Sequence, residues 1–466
     1  MRILRITAAV LFAVIILTPL LTFNFEENAV SLIDNRELTK NPFSSASSGD
    51  LTVNIQSYVN DRIGLRDNMI LAYTVLHDKL FNMMEHPTYI YGRDGYIFGR
   101  SVNTNHTYSE YHEAFADMIA MIQEYCENRN VPFLFVFTPA KYSVLTEYLP
   151  AGINYDRSWV DSFFEALDER GVRYLDNTKT LREKTDEGEA VFNQKYDANH
   201  WNDLGAFYGT NAILRELKKD IPAIHINDPD ELTISETLKT SLPVSEFPIH
   251  EMVPEITVTS QANSDETDVY KSELELHPSY TSFGYYRNEE RMSEGAPRAL
   301  VFQGSYLNNF GQKYFANAFG EYIHVHDYQN ITDFAYYFNI FEPECVIFEV
   351  AEYTFSEGYF SYNKMTAMDL NPVLADLLAG DITRETRVSD SADLVIERGN
   401  TLTKLRWICD EPFDYAWLTL DREYDMKKAD GAYEVTVLTD TYEQYRDEIK
   451  TAALHGGTVI IYTFNK

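Results

Sequence analysis

Apolar and polar positions along the chain change rhythm three times. The first stretch is one unbroken run: after Arg2 and Arg5, residues 7–23 carry no charged side chain. A helix needs about 20 apolar residues to cross a bilayer, so this run is just long enough. Arginines on the short N-terminal side predict that this end stays in the cytoplasm and the body lies outside. Leu20-Leu21-Thr22-Phe23-Asn24-Phe25 offers no small-residue cleavage site, so residues 1–24 read as an uncleaved membrane anchor in preference to a signal peptide. Residues 25–50 are polar and end in Ser44-Ser45-Ala46-Ser47-Ser48, the composition of a linker.

The second rhythm is helical. From Leu51, apolar residues such as Ile55, Val59, Ile63, Ile70, Leu76 and Leu80 recur at helix spacing. Tyr89 to Phe98 then reads as a hairpin, two strand-like runs around an Asp94-Gly95 turn. Beyond it helices and strands alternate. Ser109 to Asn128 is amphipathic and feeds the apolar run Pro132 to Phe137; Trp159 to Arg170 is helical and leads to a short strand at Val172 to Leu175; Asn202 is an N-cap for a helix to about Leu217. Later strands are expected at Ala299–Phe302, Tyr322–Val325 and Cys345–Val350, with a helix after Tyr306. Such alternation predicts an α/β fold with a doubly wound, mostly parallel sheet over residues 51–380.

Two stretches depart from that order. Residues 221–297, rich in Pro, Ser, Thr and acids, read as a mostly β or irregular insertion; residues 381–466 read as a small β-rich domain, with strand-like runs such as Ala416–Leu420 and Thr458–Tyr462.

Charge narrows the function. Thirty-nine Lys plus Arg face 72 Asp plus Glu, a net charge of −33, and a protein without a basic face does not neutralise phosphates, which excludes nucleic acid as a partner. Aromatic residues reach 14%, with 33 Tyr against 4 Trp; core packing explains most, although Trp407, Tyr415 and Trp417 are candidates for stacking on sugar rings. Cys126, Cys345 and Cys409 have no zinc-like or redox spacing and sit in apolar or strand-like contexts.

Candidate chemistry begins at Asp197-Ala198-Asn199-His200. A carboxylate three residues before an imidazole, just ahead of a helix, can accept from one ring nitrogen and leave the other free to take a proton. A nucleophile is available at Ser305, which follows the expected strand Ala299–Phe302 and precedes a helical stretch, the edge where open α/β sheets build active sites. Gly304 permits a tight turn there, and N–H groups opening the helix suit an oxyanion. His324-Val325-His326-Asp327 places two imidazoles on one side of a strand, but no third ligand is evident and a half-solvated strand face explains them equally. Glu349 and Glu352 end a strand, where they either line the cleft or, as the preferred reading, form a solvated strand end; Asp390 and Asp393 suit a glycosidase only if they face each other across a cleft. No metal or cofactor is expected.

These residues resemble, in order over about residues 55–353, the alginate O-acetyltransferase branch of the SGNH hydrolase superfamily, the AlgX/AlgJ-like proteins that include the DHHW group. Asn60 to Arg66 is similar to that family's early D-x-F-P-x-R helix and Tyr91 to Phe98 to its G-x-D-G-W-L-F hairpin. Pro139-Ala140-Lys141 with Tyr148-Leu149-Pro150 resembles its P-x-K and Y-L-P segment. Asp197 to Trp201 followed by Gly205-Ala206 resembles its D-x-H-W-x-x-x-G-A signature, and Gly304-Ser305-Tyr306 its nucleophile turn. The resemblance implies an SGNH-like fold with Ser305 as nucleophile, His200 as base and Asp197 as orienting acid. It leaves Gly304, Tyr306, Asn308, Lys141 and Trp201 as candidates for oxyanion or substrate contacts. Asp and His stand one residue further apart here than in the branch, D-x-x-H for D-x-H, and Gln303-Gly304-Ser305 lacks the acid of a G-D-S-F form; reach between Asp197 and His200 is the point for a structure to decide.

The expected activity is therefore transfer of an acetyl group, through a serine acyl-enzyme, onto a hydroxyl of a bacterial surface or exopolysaccharide. By resemblance a membrane-bound O-acyltransferase supplies the acetyl group, and the anchor keeps the chain beside it at the outer face of the cell membrane. An extracellular carbohydrate esterase and a non-catalytic polysaccharide-binding or assembly scaffold are the alternatives left open by the residues.

Overall fold

A computed structural model describes residues 2–465 except 27–28, 32–35, 44–50, 82, 85, 87, 101–105, 244–246 and 260–262. The serine-rich segment expected as a linker, Ser44 to Ser48, lies outside the described residues. The N-terminal apolar run is one helix, Arg2–Leu21, with no buried residue and a mean hydropathy of 2.3. It has the length and composition of a membrane span or a signal sequence. Helices Leu51–Arg62 and Arg66–Phe81 follow, then the expected hairpin, Tyr89–Tyr91 against Ile97–Gly99, closed by a turn in which Asp94 and Gly95 take positive φ of 52° and 76°.

The central sheet has seven strands in the order Tyr174–Asp176, Phe133–Thr138, Cys345–Ala351, Arg298–Gln303, Glu321–His326, Phe283–Asn288 and Asn263–Asp265. The first five are parallel, with Phe348 registered between Phe135 and Phe302. Their continuous apolar runs are explained by burial on both faces. Phe135, Phe137, Phe302, Val346 and Phe348 point to one side, into a core with helices Glu110–Glu127, Ser158–Glu169 and Phe334–Phe341. Leu134, Val136, Val301 and Ile347 point to the other, against helices Asp203–Leu217 and Gln312–Ala318. Alternation by two thus feeds two separate cores.

Part of the stretch expected as an insertion belongs to this sheet. Leu232–Ser241 and Pro248–Val258 do form a separate antiparallel hairpin, but Phe283–Asn288 and Asn263–Asp265 extend the main sheet as antiparallel edge strands. Phe283 and Tyr285 are buried in the core while Tyr286 and Arg287 are half-buried, so the run reads as irregular although it is a sheet edge.

A second sheet begins at Thr383 and has eight strands, with Thr383–Ser389 parallel to Thr458–Phe464 and the other pairings antiparallel. The tryptophans considered for sugar stacking are its core: Trp407 lies buried among Phe413, Tyr433 and Tyr462, and Trp417 among Leu374, Ala452 and Val459. Half-buried Tyr415 donates to Asp369. Asp390 and Asp393 form the two ends of a capping box on one short turn and do not face each other across a cleft. All three cysteines are free, Cys126 and Cys345 buried and Cys409 half-buried.

One close approach ties the fold to its signature. Trp201 is fully buried, and its ring lies on helix Asp203–Leu217 where a Cβ at Gly209 would come within 2.3 Å of Cζ3. Gly209→Ala gains up to about 1 kcal/mol of helix propensity, but overpacking a boxed-in ring costs roughly 1–3 kcal/mol. The expected result is a net loss of stability and a lower Tm in a thermal melt; an unchanged or raised Tm contradicts the packing.

Candidate active site

The carboxyl ends of the parallel strands converge on one edge. Arg298–Gln303 runs into Gly304 and Ser305, Phe133–Thr138 into Ala140 and Lys141, and Cys345–Ala351 into Glu352 and Tyr353. The loop carrying Asp197 and His200 reaches the same edge before helix Asp203–Leu217, whose first turn is capped by Asn202 accepting from the Gly205 N–H at 3.0 Å. His200 Nε2 lies 2.8 Å from Ser305 Oγ, although the two are 105 positions apart. On its other side His200 Nδ1 is 2.9 Å from Asp197 Oδ2 and 3.0 Å from Oδ1. The carboxylate accepts a hydrogen bond from Nδ1–H, which leaves the Nε2 lone pair facing the serine.

The longer Asp-to-His spacing is absorbed by the backbone. Asp197 takes the left-handed conformation, φ 60°, one that Asp tolerates better than most residues. Its Oδ1 can then accept the N–H groups of Asn199 at 3.1 Å and His200 at 3.0 Å while holding the ring. Burial alone would raise the Asp197 pKa, but the facing imidazole and these hydrogen bonds outweigh it and hold the carboxyl below its ordinary value.

Tyr306, directly after the serine, clamps the two stretches together. It is wholly buried, donates from Oη to the Asn199 carbonyl at 2.6 Å and the Pro139 carbonyl at 3.0 Å, and accepts at its own carbonyl from Trp201 Nε1 at 3.1 Å. Tyr306 and Trp201 therefore do not line an acceptor surface; both rings pack beneath the site, because each polar tip finds a buried carbonyl. Lys141 is also fully buried, and its ammonium donates to the carbonyls of Ile97, Gln194 and Asp197 at 2.8, 3.1 and 3.3 Å. Burial lowers its pKa to about 7. It braces the Asp197 loop and does not face Ser305.

The nucleophile turn differs from expectation in two further ways. The Gly304 N–H is already donated to Glu349 Oε2 at 3.0 Å, so it is not an oxyanion donor. Half-buried Asn308 accepts from Gln303 Nε2 at 2.8 Å through Oδ1. Ser305 and Tyr306 open a helical stretch that passes through a π turn, Leu307–Gly311, before helix Gln312–Ala318, and the Ser305 hydroxyl meets side chains where a capping serine would meet backbone N–H groups.

Tyr353 at this edge is not singled out by the sequence, and Glu349 and Glu352 differ from the solvated strand end expected there. Tyr353 Oη sits 2.8 Å from Ser305 Oγ and 3.0 Å from His200 Nε2; burial raises its pKa, keeping the phenol protonated as a donor. Glu349 and Glu352, taken as a solvated strand end, are both fully buried. Glu352 accepts from the Ala140 N–H at 2.9 Å, from Tyr155 Oη at 2.5 Å and from Ser143 Oγ. Burial, with Asp327 nearby, pushes the Glu349 pKa up to about 8. An aromatic after F-E-V-A-E was the available signal for Tyr353, and nothing in that run separates a buried acid from a wet one. Elsewhere, the His324 ring is buried among Tyr286 and Tyr322, with its pKa lowered to about 3 by burial, and among the described residues no group of three His, Cys, Asp or Glu side chains is placed to hold a metal ion.

Comparison with known proteins bears on this arrangement. Residues 90–245 match the family model described as the SGNH hydrolase-like domain of the acetyltransferase AlgX. Residues 90–245 are thus similar to an AlgX-type, SGNH hydrolase-like domain. The match takes in Asp197 and His200 and stops short of Ser305. It agrees with the family resemblance drawn from the motifs. No curated protein sequence matches the chain. Among solved structures the chain is similar to the O-acetyltransferase domain of Pseudomonas putida AlgJ, with 15% identity over 61% of this chain and 99% of that one at a TM-score of 0.42. It is similar to Bacillus cereus PatB1, with 17% identity over 56% and 95% at 0.43. A DHHW family protein from Eubacterium siraeum matches with 15% identity over 62% and 98%, also at 0.43.

A pH-dependent stability follows from Glu349. A carboxyl whose folded pKa is raised contributes stability fully below its ordinary value, and that contribution is lost as pH rises through about 8. Glu349→Gln keeps an acceptor for the Gly304 N–H and removes the titration. Tm is expected to fall between about pH 5 and pH 8 more steeply in the wild type than in Glu349→Gln; parallel profiles refute the buried acid.

Proposed function

We propose that the chain is an extracytoplasmic O-acetyltransferase, held at the outer face of the cell membrane by residues 1–24, that moves an acetyl group through Ser305 onto a polysaccharide hydroxyl. The contact that carries this reading is the 2.8 Å approach of His200 Nε2 to Ser305 Oγ. His200 takes the hydroxyl proton as Oγ attacks the acetyl carbonyl, then returns it to the leaving group as the carbonyl re-forms, giving the acetyl-serine. A sugar hydroxyl enters by the reverse sequence: His200 takes its proton, the new ester forms, and Ser305 recovers the proton. Asp197 orients the imidazole and stabilises its charged form. Tyr353 Oη, 2.8 Å from Ser305 Oγ, is the donor placed to turn to the acetyl carbonyl oxygen as it becomes the oxyanion of the tetrahedral intermediate.

Transfer is favoured over hydrolysis by the family match, and a membrane-bound O-acyltransferase is the acetyl supplier this scheme requires. The net charge of −33 favours a neutral or weakly charged glycan, since a polyanion would be repelled on approach.

With the full chain and a chromogenic acetyl ester, His200→Ala is expected to lower the rate by about 10²–10⁴-fold and Tyr353→Phe by roughly 10²-fold, each with an unchanged Tm. Adding a sugar oligomer is expected to give acetylated oligomer with the wild type and none with Ser305→Ala. Equal ester cleavage by Ser305→Ala removes the proposal, and cleavage without transfer makes the protein an esterase.

A further inference from the structure

The helices Leu51–Arg62 and Arg66–Phe81 do not behave as core helices. Between them they bury three residues, Asp61, Arg62 and Thr74, while their apolar side chains face outward in two stripes. Leu51, Ile55 and Val59 repeat every fourth residue along the first helix, and Met69, Tyr73, Leu76 and Leu80 follow at i, i+4, i+7 and i+11 along the second. Each is exposed, from 37% at Ile55 to 64% at Leu80. One helix face repeats at that spacing, so each set is a continuous apolar strip rather than scattered residues. Contiguous apolar surface on a soluble body marks a site of contact with a partner or a membrane.

Two observations select a lipid surface. First, the turn joining the helices is fastened to the outer end of helix Arg2–Leu21. The Gly64 N–H donates to the Pro19 carbonyl at 2.8 Å, and a Cβ at Gly64 would collide with Thr22. The Asn24 N–H donates to the Arg62 carbonyl at 2.8 Å, and the Arg62 guanidinium returns a bond to the Asn24 carbonyl at 3.3 Å. The stripes therefore start where an anchored chain leaves the bilayer. Second, this segment is electrically neutral in a protein of net charge −33: Asp61, Asp67 and Asp78 are balanced by Arg62, Arg66 and Lys79. The acidic excess lies elsewhere, and the stripes meet a headgroup region without its repulsion.

We propose that residues 51–81 form a membrane-lying element whose two apolar stripes sink into the outer leaflet around the exit of the anchor. The element holds the body, joined to it through Tyr91 Oη donating to Asp78 at 2.7 Å, at a fixed height over the membrane. The proposal rests on the reading of residues 1–24 as an uncleaved anchor.

All four native tryptophans are buried, so an added one reports its own surroundings. The full chain is placed in nanodiscs of zwitterionic phosphatidylcholine with and without lipids brominated along the acyl chain, carrying Leu76→Trp, Leu80→Trp or, on the exposed edge of the second sheet, Val388→Trp. Bromolipid quenching at positions 76 and 80 is expected to exceed that at 388 by about threefold or more, as for side chains a few ångströms below the headgroups. Quenching equal to that at 388 overturns the proposal. So does a shielded signal at 76 and 80 that ignores bromolipid and rises with protein concentration, which assigns the stripes to a second copy. N-terminal sequencing of the membrane-bound protein tests the anchor separately: a chain beginning after residue 24 removes the anchor, whereas failed quenching with an intact N-terminus removes only the membrane-lying element.

Discussion

The Tyr306 clamp is the constraint on which the rest of the site depends. Two segments 105 positions apart are held together where the Tyr306 hydroxyl, one residue after Ser305, donates to the carbonyl of Asn199, one residue before His200. Trp201, one residue after His200, bonds the carbonyl of Tyr306 in return. Two reciprocal hydrogen bonds in a dry interior, each satisfying a buried group that would otherwise cost about 1–3 kcal/mol, fix the separation of serine and imidazole more tightly than either loop could alone. The rings that look like substrate platforms in the sequence are the frame behind the reacting atoms.

Around that frame the sheet edge carries buried titratable groups. Lys141 is held by three carbonyls, Glu352 by three donors, and Glu349 by the Gly304 N–H. Interiors tolerate such groups when partners are in place, and the partners here come from several segments, among them Ile97, the 194–197 loop, the 140–143 turn, Tyr155 and Gly304, so the groups tie these segments together at the carboxyl edge. The hairpin of residues 232–258 joins it, since Glu251 accepts the N–H groups of Gln194, Lys195 and Tyr196 just ahead of Asp197.

Legibility followed the range of the physics. Strands such as Phe133–Thr138 and caps such as Asn202 are local signals and were readable within a residue or two. That Asp197, His200 and Ser305 meet at one edge is legible because strand-then-turn and loop-then-helix contexts limit where such side chains can point. Which way Trp201 and Tyr306 turn depends on carbonyls from other segments, and no local pattern encodes that. The burial of Glu349 and Glu352 likewise depends on what covers the strand end. Phe283–Asn288 is not legible as a strand of the main sheet because half-buried Tyr286 and Arg287 interrupt its buried positions, so it shows no continuous apolar run. The helical spacing of residues 51–81 was visible, but its outward direction was not.

The central claim is that Ser305 forms the covalent intermediate with His200 as its base. Peptide-resolved mass spectrometry after brief incubation of the full chain with an activated acetyl ester tests it most directly. One acetyl group is expected on the peptide containing Ser305, accumulating in the wild type and failing to accumulate in His200→Ala. Turnover with the acetyl group on another residue, or undiminished labelling of Ser305 without His200, contradicts it.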